Sequence, residues 1–107
     1  MKFSFKFRKR KFQMNVKVCK DVLSKTSGLM FKKNSPCLLF VFRKKGPAIH
    51  SFFCKPFIAI WFNDNEIVHV RLIEGWKFSI KPKKEFNKLL EIPASDENFE
   101  KLKKVIL

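Results

Sequence analysis

Tyrosine is absent from this sequence, glycine occurs only three times, and 9 acids face 24 lysines and arginines in 107 residues. Each shortage removes some chemistry. Without tyrosine there is no phenolic acid or base. With three glycines and no GxSxG, GxxxxGK or GxGxxG spacing, a nucleophile elbow or a backbone phosphate cradle has no material. Asp64 and Glu66 sit in the run Asn63-Asp64-Asn65-Glu66, where short polar side chains bond their own backbone; that is turn chemistry rather than a catalytic carboxylate pair. Long apolar runs are also missing. Residues 38–42 and 57–62 are the most apolar stretches, far short of the roughly 18 to 20 residues that span a bilayer. Lys6, Arg8, Lys9, Arg10 and Lys11 interrupt any secretory leader. Cys19, Cys37 and Cys54 form an odd set with no close pair, which points to a reducing, cytoplasmic setting without a disulfide framework. The expectation is a non-enzymatic protein with no cofactor and no metal.

What is present is charge and phenylalanine. A formal charge of +15 exceeds what solubility needs and implies a polyanionic partner. With 46% hydrophobic residues and 14 phenylalanines the chain is too apolar to be wholly disordered, and its length suits one domain. Residues 1–12, MKFSFKFRKRKF, carry six basic residues and no acid, and read as a basic N-terminal arm before a single domain at 13–107. Phe3, Phe5 and Phe7 alternate with Lys2, Ser4 and Lys6, so the arm could instead add an edge strand, with residues 8–11 as a charged bend.

Along the body, residues 15–18 read as a short strand and 21–26 as a helical turn ended by Gly28. Residues 38–42 form a buried strand before the turn Arg43-Lys44-Lys45-Gly46-Pro47. Strands follow at 49–53, 58–62 and 67–72, the last two joined by the Asn-Asp-Asn-Glu turn. Period-2 alternation at 76–80 and an apolar stretch at 86–92 predict two more. Ser95 is placed as the N-cap of a C-terminal helix with acids early, lysines late, and Phe99, Leu102 and Ile106 inward. The fold class is mostly β, a small antiparallel sandwich or barrel with one or two short helices. Its predicted core includes Leu39, Val41, Phe53, Ile58, Ile60, Val68 and Val70, with His69 facing outward. Glu91, flanked by Leu90 and Ile92, is expected in solvent or beside a lysine, a buried structural role being the alternative.

Gly28-Leu29-Met30-Phe31, Leu39-Phe40-Val41-Phe42, Ile49-His50 with Phe52-Phe53, the strand at 58–62 and Leu90-Glu91-Ile92-Pro93-Ala94 occur in an order and spacing that resemble the domain of unknown function 192 family, in its archaeal form. The resemblance covers residues 21–95 and implies a compact β sandwich with a short helix and no established activity. Two positions depart from it: Ala59 stands where the family usually has Asp, and Ser95 where it has Gly. A polar site built on that Asp would be lost here.

His50 and Cys54 are four apart, about 13 Å along a strand, too far to share a zinc; they mark at most a pocket. The strongest signal is basic residues interleaved with aromatics. Lys2, Lys6, Arg8, Lys9, Arg10 and Lys11 form one set; Trp76, Lys77, Lys81, Lys83 and Lys84 form another; Lys32, Lys33, Arg43, Lys44 and Lys45 lie in turns between. Such residues neutralise phosphates, and exposed rings can stack on bases. The sequence therefore predicts a nucleic-acid-binding module, for structured or ribosomal RNA before DNA. The alternatives are an anionic membrane surface, into which the arm's Phe rings would insert, and a small-ligand or enzymatic pocket near His50.

Overall fold

A computed structural model describes residues 1–20, 37–42, 56–73 and 82–106. The turn at 21–26, the strands expected at 49–53 and 76–80, and Phe53 lie outside the described residues. Those described form six strands and a helix: β1 (Lys2–Phe7), β2 (Arg10–Lys20), β3 (Cys37–Val41), β4 (Phe57–Asn63), β5 (Glu66–Ile73), β6 (Lys88–Pro93) and α1 (Glu97–Ile106). The fold is mostly β, as the strand pattern requires. The strands make one curled sheet, a half-barrel in the order β1-β2-β3-β6-β4-β5, antiparallel at every junction except β2–β3. The helix takes the place of a second sheet: it buries Phe99 and Leu102 in the core shared with the sheet's concave face.

One correction concerns residues 1–12. They are no separate arm: β1 pairs with β2 over its whole length, and the expected boundary after residue 12 falls inside β2. The cause is the alternation in the sequence. Because successive side chains on a strand point to opposite faces, β1 offers Phe3, Phe5 and Phe7 to one side, and Phe12 and Met14 of β2 extend the same apolar stripe.

Both faces of the sheet centre are buried, which explains the continuous apolar runs of β3 and β4. Leu39, Ile58 and Ile60 are core residues on the concave side. Leu38, Phe40, Ala59, Trp61 and Leu89 form a second cluster on the convex side. Val41, Val68 and Val70 are only half-buried; among the described residues β5 pairs on one side only, with β4. His69 is exposed, as expected.

The β4–β5 turn holds Asp64 at φ 56, a left-handed conformation that Asp tolerates better than most residues. Asn87 secures it from outside: Asp64 N donates to Asn87 Oδ1 at 2.9 Å, and Asn87 Nδ2 donates to Asp64 Oδ1 at 2.9 Å. At the helix start the N-cap is Asp96 rather than Ser95. Its Oδ1 accepts from the Asn98 backbone N–H at 2.8 Å and from Asn98 Nδ2 at 3.1 Å, satisfying a donor of the first turn. Asp96→Ala should cost about 1 to 2 kcal/mol in urea unfolding, and Ser95→Ala should cost much less.

Candidate nucleic-acid interface

The candidate interface lies on the β1–β2 hairpin. Its register sets Lys2 opposite Asn15, Ser4 opposite Gln13 and Lys6 opposite Lys11. These side chains, with Lys17, share the face turned away from the core, because the intervening positions are the inward Phe and Met residues. Residues 1–20 contain no acid. Lys17 extends the row beyond the residues expected from the sequence. Its signal was the polar, period-2 series Lys11, Gln13, Asn15 and Lys17, whose first member the arm reading set apart from the domain.

The phenylalanines have a different role from the one expected. Phe5 stacks on Phe12 with ring centroids 5.4 Å apart, while Phe3 and Phe5 meet Phe62 edge-on at 5.5 and 5.8 Å. Rings packed in this way cannot stack on bases or enter a membrane. Met1 is the only exposed large hydrophobic among the described residues.

Arg8 and Lys9 form the two-residue hairpin loop, at φ 49 and φ 67. Positive φ at both central positions is what the right-handed twist of a hairpin asks of so short a turn. Arg8, expected from the sequence to contact phosphate, is engaged elsewhere: its Nη1 donates to the carbonyl of Val105 in the last turn of α1, and its Cζ lies 5.2 Å from the centre of the Phe7 ring. It satisfies a carbonyl that the helix end leaves open and ties the hairpin tip to the helix. Lys2, Lys6, Lys9, Arg10 and Lys11 are exposed.

Lys6 and Lys11 face each other across non-covalent strand pairing, where like charges are destabilising. An anion between them reverses the sign of that contact and makes charge-assisted hydrogen bonds. Lys83 and Lys84 are also exposed, but in the segment before β6, which β3 separates from the hairpin. Lys32, Lys33, Arg43, Lys44, Lys45, Trp76, Lys77 and Lys81, and the pocket pair His50 and Cys54, lie outside the described residues.

Among the other reactive groups, one set borders this face at the Lys2 end. Cys37 is buried beside Asp96; burial first, then the charge and hydrogen bond of Asp96, raises the pKa of its thiol and keeps it protonated. A protonated thiol is a poor nucleophile. Cys37 and Asp96 line an open recess of about 420 Å³ with Lys2, Gln13, Glu97 and Asn98, whose two acids oppose anion entry. Glu91 is not in solvent as expected but 2% exposed, because the convex side of β6 is buried too. Its cross-strand partners are Leu38 and Ala59. Desolvation pushes the Glu91 carboxyl up to about 8. Trp61 is fully buried on the same face; its indole N–H has no hydrogen-bond partner among the described residues, and its ring lies 5.3 Å from that of His69.

No protein-family model and no curated protein matches the chain. Two solved structures share its fold. A protein of unknown function from Novosphingobium aromaticivorans DSM 12444 superposes with a TM-score of 0.70 at 12% identity, over 84% of this chain and 70% of that one. A candidate transcription regulator from Sinorhizobium meliloti 1021 superposes with a TM-score of 0.70 at 15% identity, over 99% and 84%. At such identities the likeness is one of fold alone. No helix among the described residues is long and apolar enough to cross a membrane.

Proposed function

We propose that the chain is a non-enzymatic nucleic-acid-binding module that holds RNA phosphates along the outer face of the β1–β2 hairpin. The observation that carries this reading is the row of exposed lysines on an acid-free hairpin, with Lys6 set against Lys11. Folding gains nothing from that pair; a phosphate backbone does. RNA is favoured over DNA because α1, the one helix described, packs on the concave side of the sheet and is unavailable to read a major groove. With the hairpin rings turned inward, recognition rests on phosphates, so base specificity is weak. The membrane alternative loses its anchor for the same reason, since Phe3, Phe5 and Phe7 are packed in or against the core. A candidate transcription regulator among proteins of similar fold is in keeping with a nucleic-acid partner.

The test is the salt dependence of binding to a structured RNA hairpin. Each neutralised phosphate contributes about 0.9 to the slope on a duplex and about 0.7 on a single strand. Arg10 pairs with Phe7 and so belongs to the opposite face, and is left out; changing Lys2, Lys6, Lys9 and Lys11 together to glutamine should lower the slope by up to roughly 3 units and leave the circular dichroism spectrum unchanged. An unaltered slope would refute the assignment and leave the lysines as guards against edge-to-edge aggregation.

A further inference from the structure

The outer face of the hairpin is not uniformly charged. Across the two strands it falls into rows: Lys6 opposite Lys11, then Ser4 opposite Gln13, then Lys2 opposite Asn15, with Lys17 beyond. All of these side chains are exposed. Cations therefore stand toward the two ends, about 13 Å apart from Lys6 to Lys2 and about 20 Å from Lys11 to Lys17. Ser4, Gln13 and Asn15 lie between them, neutral and able both to donate and to accept hydrogen bonds.

One flank of this neutral strip is acidic. Asp96 and the exposed Glu97, at the start of α1, line the recess shared with Lys2, Gln13 and Asn15. Carboxylates there repel a phosphate but accept hydrogen bonds from hydroxyl and amino groups. The face thus suits a ligand with anions at two separated places and neutral hydrogen-bonding groups between.

Four nucleic-acid surfaces differ in their fit to it. A single strand is held by rings that stack on its bases, and Phe3, Phe5, Phe7 and Phe12 all pack in or against the core. The major groove of B-form DNA, about 8.5 Å deep, admits a two-stranded ribbon that stands clear of its domain. Here Phe5, Phe12 and Met14 hold the hairpin down on the core. The B-form minor groove, about 6 Å wide, is narrower than the distance between the lysine ends. The minor groove of A-form RNA is wide and shallow, and it displays 2′-hydroxyls between two phosphate backbones.

We infer that the hairpin lies across the minor groove of double-stranded RNA, with Lys6 and Lys11 at the phosphates of one strand, Lys2 at those of the other, and Ser4, Gln13 and Asn15 on the 2′-hydroxyls between. This rests on the phosphate-binding reading and adds to it a duplex and three residues that tell RNA from DNA.

The test compares affinity for a blunt RNA duplex of about 16 base pairs, the DNA duplex of the same sequence, and one of the RNA strands alone. The RNA duplex should bind the full chain at least about tenfold more tightly than either other probe. Ser4→Ala, Gln13→Ala and Asn15→Ala combined should cut the preference over DNA to less than about threefold and leave the salt slope unchanged, because no charge is removed. Lys6→Gln with Lys11→Gln should do the reverse, lowering the slope on both duplexes and keeping their ratio. Equal binding of the two duplexes, tighter binding of the single strand, or a preference that survives the triple variant would overturn the inference and leave phosphate binding in place. If the natural chain binds none of the three probes, both fall together.

Discussion

Replacing Glu91 with glutamine should abolish most of the loss of stability that the protein undergoes as pH rises from about 4.5 to 8. The folded-state pKa of this carboxyl is raised from 4.5 to about 8, and desolvation is the cause. Below 4.5 the group is protonated in both folded and unfolded chains and has no effect on pH dependence. Between the two values the unfolded chain has released its proton while the folded one keeps it, so the folded state binds more protons and stability falls as pH rises. Above 8 both states are ionised, and the folded protein bears the full cost of a buried carboxylate. A shift of this size amounts to roughly 4 to 5 kcal/mol across the window, at about 1.4 kcal/mol per unit. Glutamine has the same shape and no charge to bury. Urea midpoints at pH 5 and pH 9 should converge for the variant and diverge for the natural chain. Parallel behaviour of the two proteins would mean that Glu91 reaches water or a cation.

That glutamate also shows where sequence reasoning reached its limit. On an alternating strand a charged residue between Leu90 and Ile92 is assigned to solvent, because alternation separates two faces without saying whether the second is covered. Here it is covered: Leu38, Ala59 and Leu89 share a buried cluster on that side. The runs at 38–42 and 57–62 carried the relevant hint, since continuously apolar strands belong where a sheet is buried on both faces. The same hint was available for Ile60 and Ile58, whose burial was legible. The N-cap was displaced by one residue because Ser95 and Asp96 are equally good caps by composition, and only the hydrogen bond to Asn98 separates them. The Arg8 contact with Val105 spans 97 positions and left no local trace.

The lysine row was legible as charge but not as geometry. Six basic residues in twelve suggest a solvated arm, and the alternation that makes those residues a strand is the same alternation that suggests rings free to stack. Once β1 pairs with β2, both properties follow from one period of two. The lysines gain a fixed outward spacing of roughly 13 Å between Lys2 and Lys6, four residues of strand, and the rings are committed to the core. Fixed spacing lowers the ordering cost of binding a backbone of regularly spaced phosphates, which a flexible tail would meet on each encounter.

Phe5→Ala should therefore destabilise the protein by about 3 to 5 kcal/mol, whereas Lys6→Gln, one residue away, should cost almost nothing. Phe5 is 8% exposed and packs on both Phe12 and Phe62, so truncation leaves a void between the hairpin and β4. Since small domains are stable by only about 5 to 15 kcal/mol, a loss of this size consumes much of the margin. Deleting residues 1–12 should be more severe: it removes β1 and the start of β2, strips the contacts of Phe3 and Phe5 from Phe62, and exposes the flank of what remains of β2 to further pairing. Cooperative urea unfolding should then be lost. A deletion variant with an unchanged midpoint would make residues 1–12 an independent arm. If the deletion unfolds the chain, loss of RNA binding in it says nothing about phosphate contacts. Only the glutamine variants, which remove charge and keep the hairpin, separate the interface from the fold that carries it.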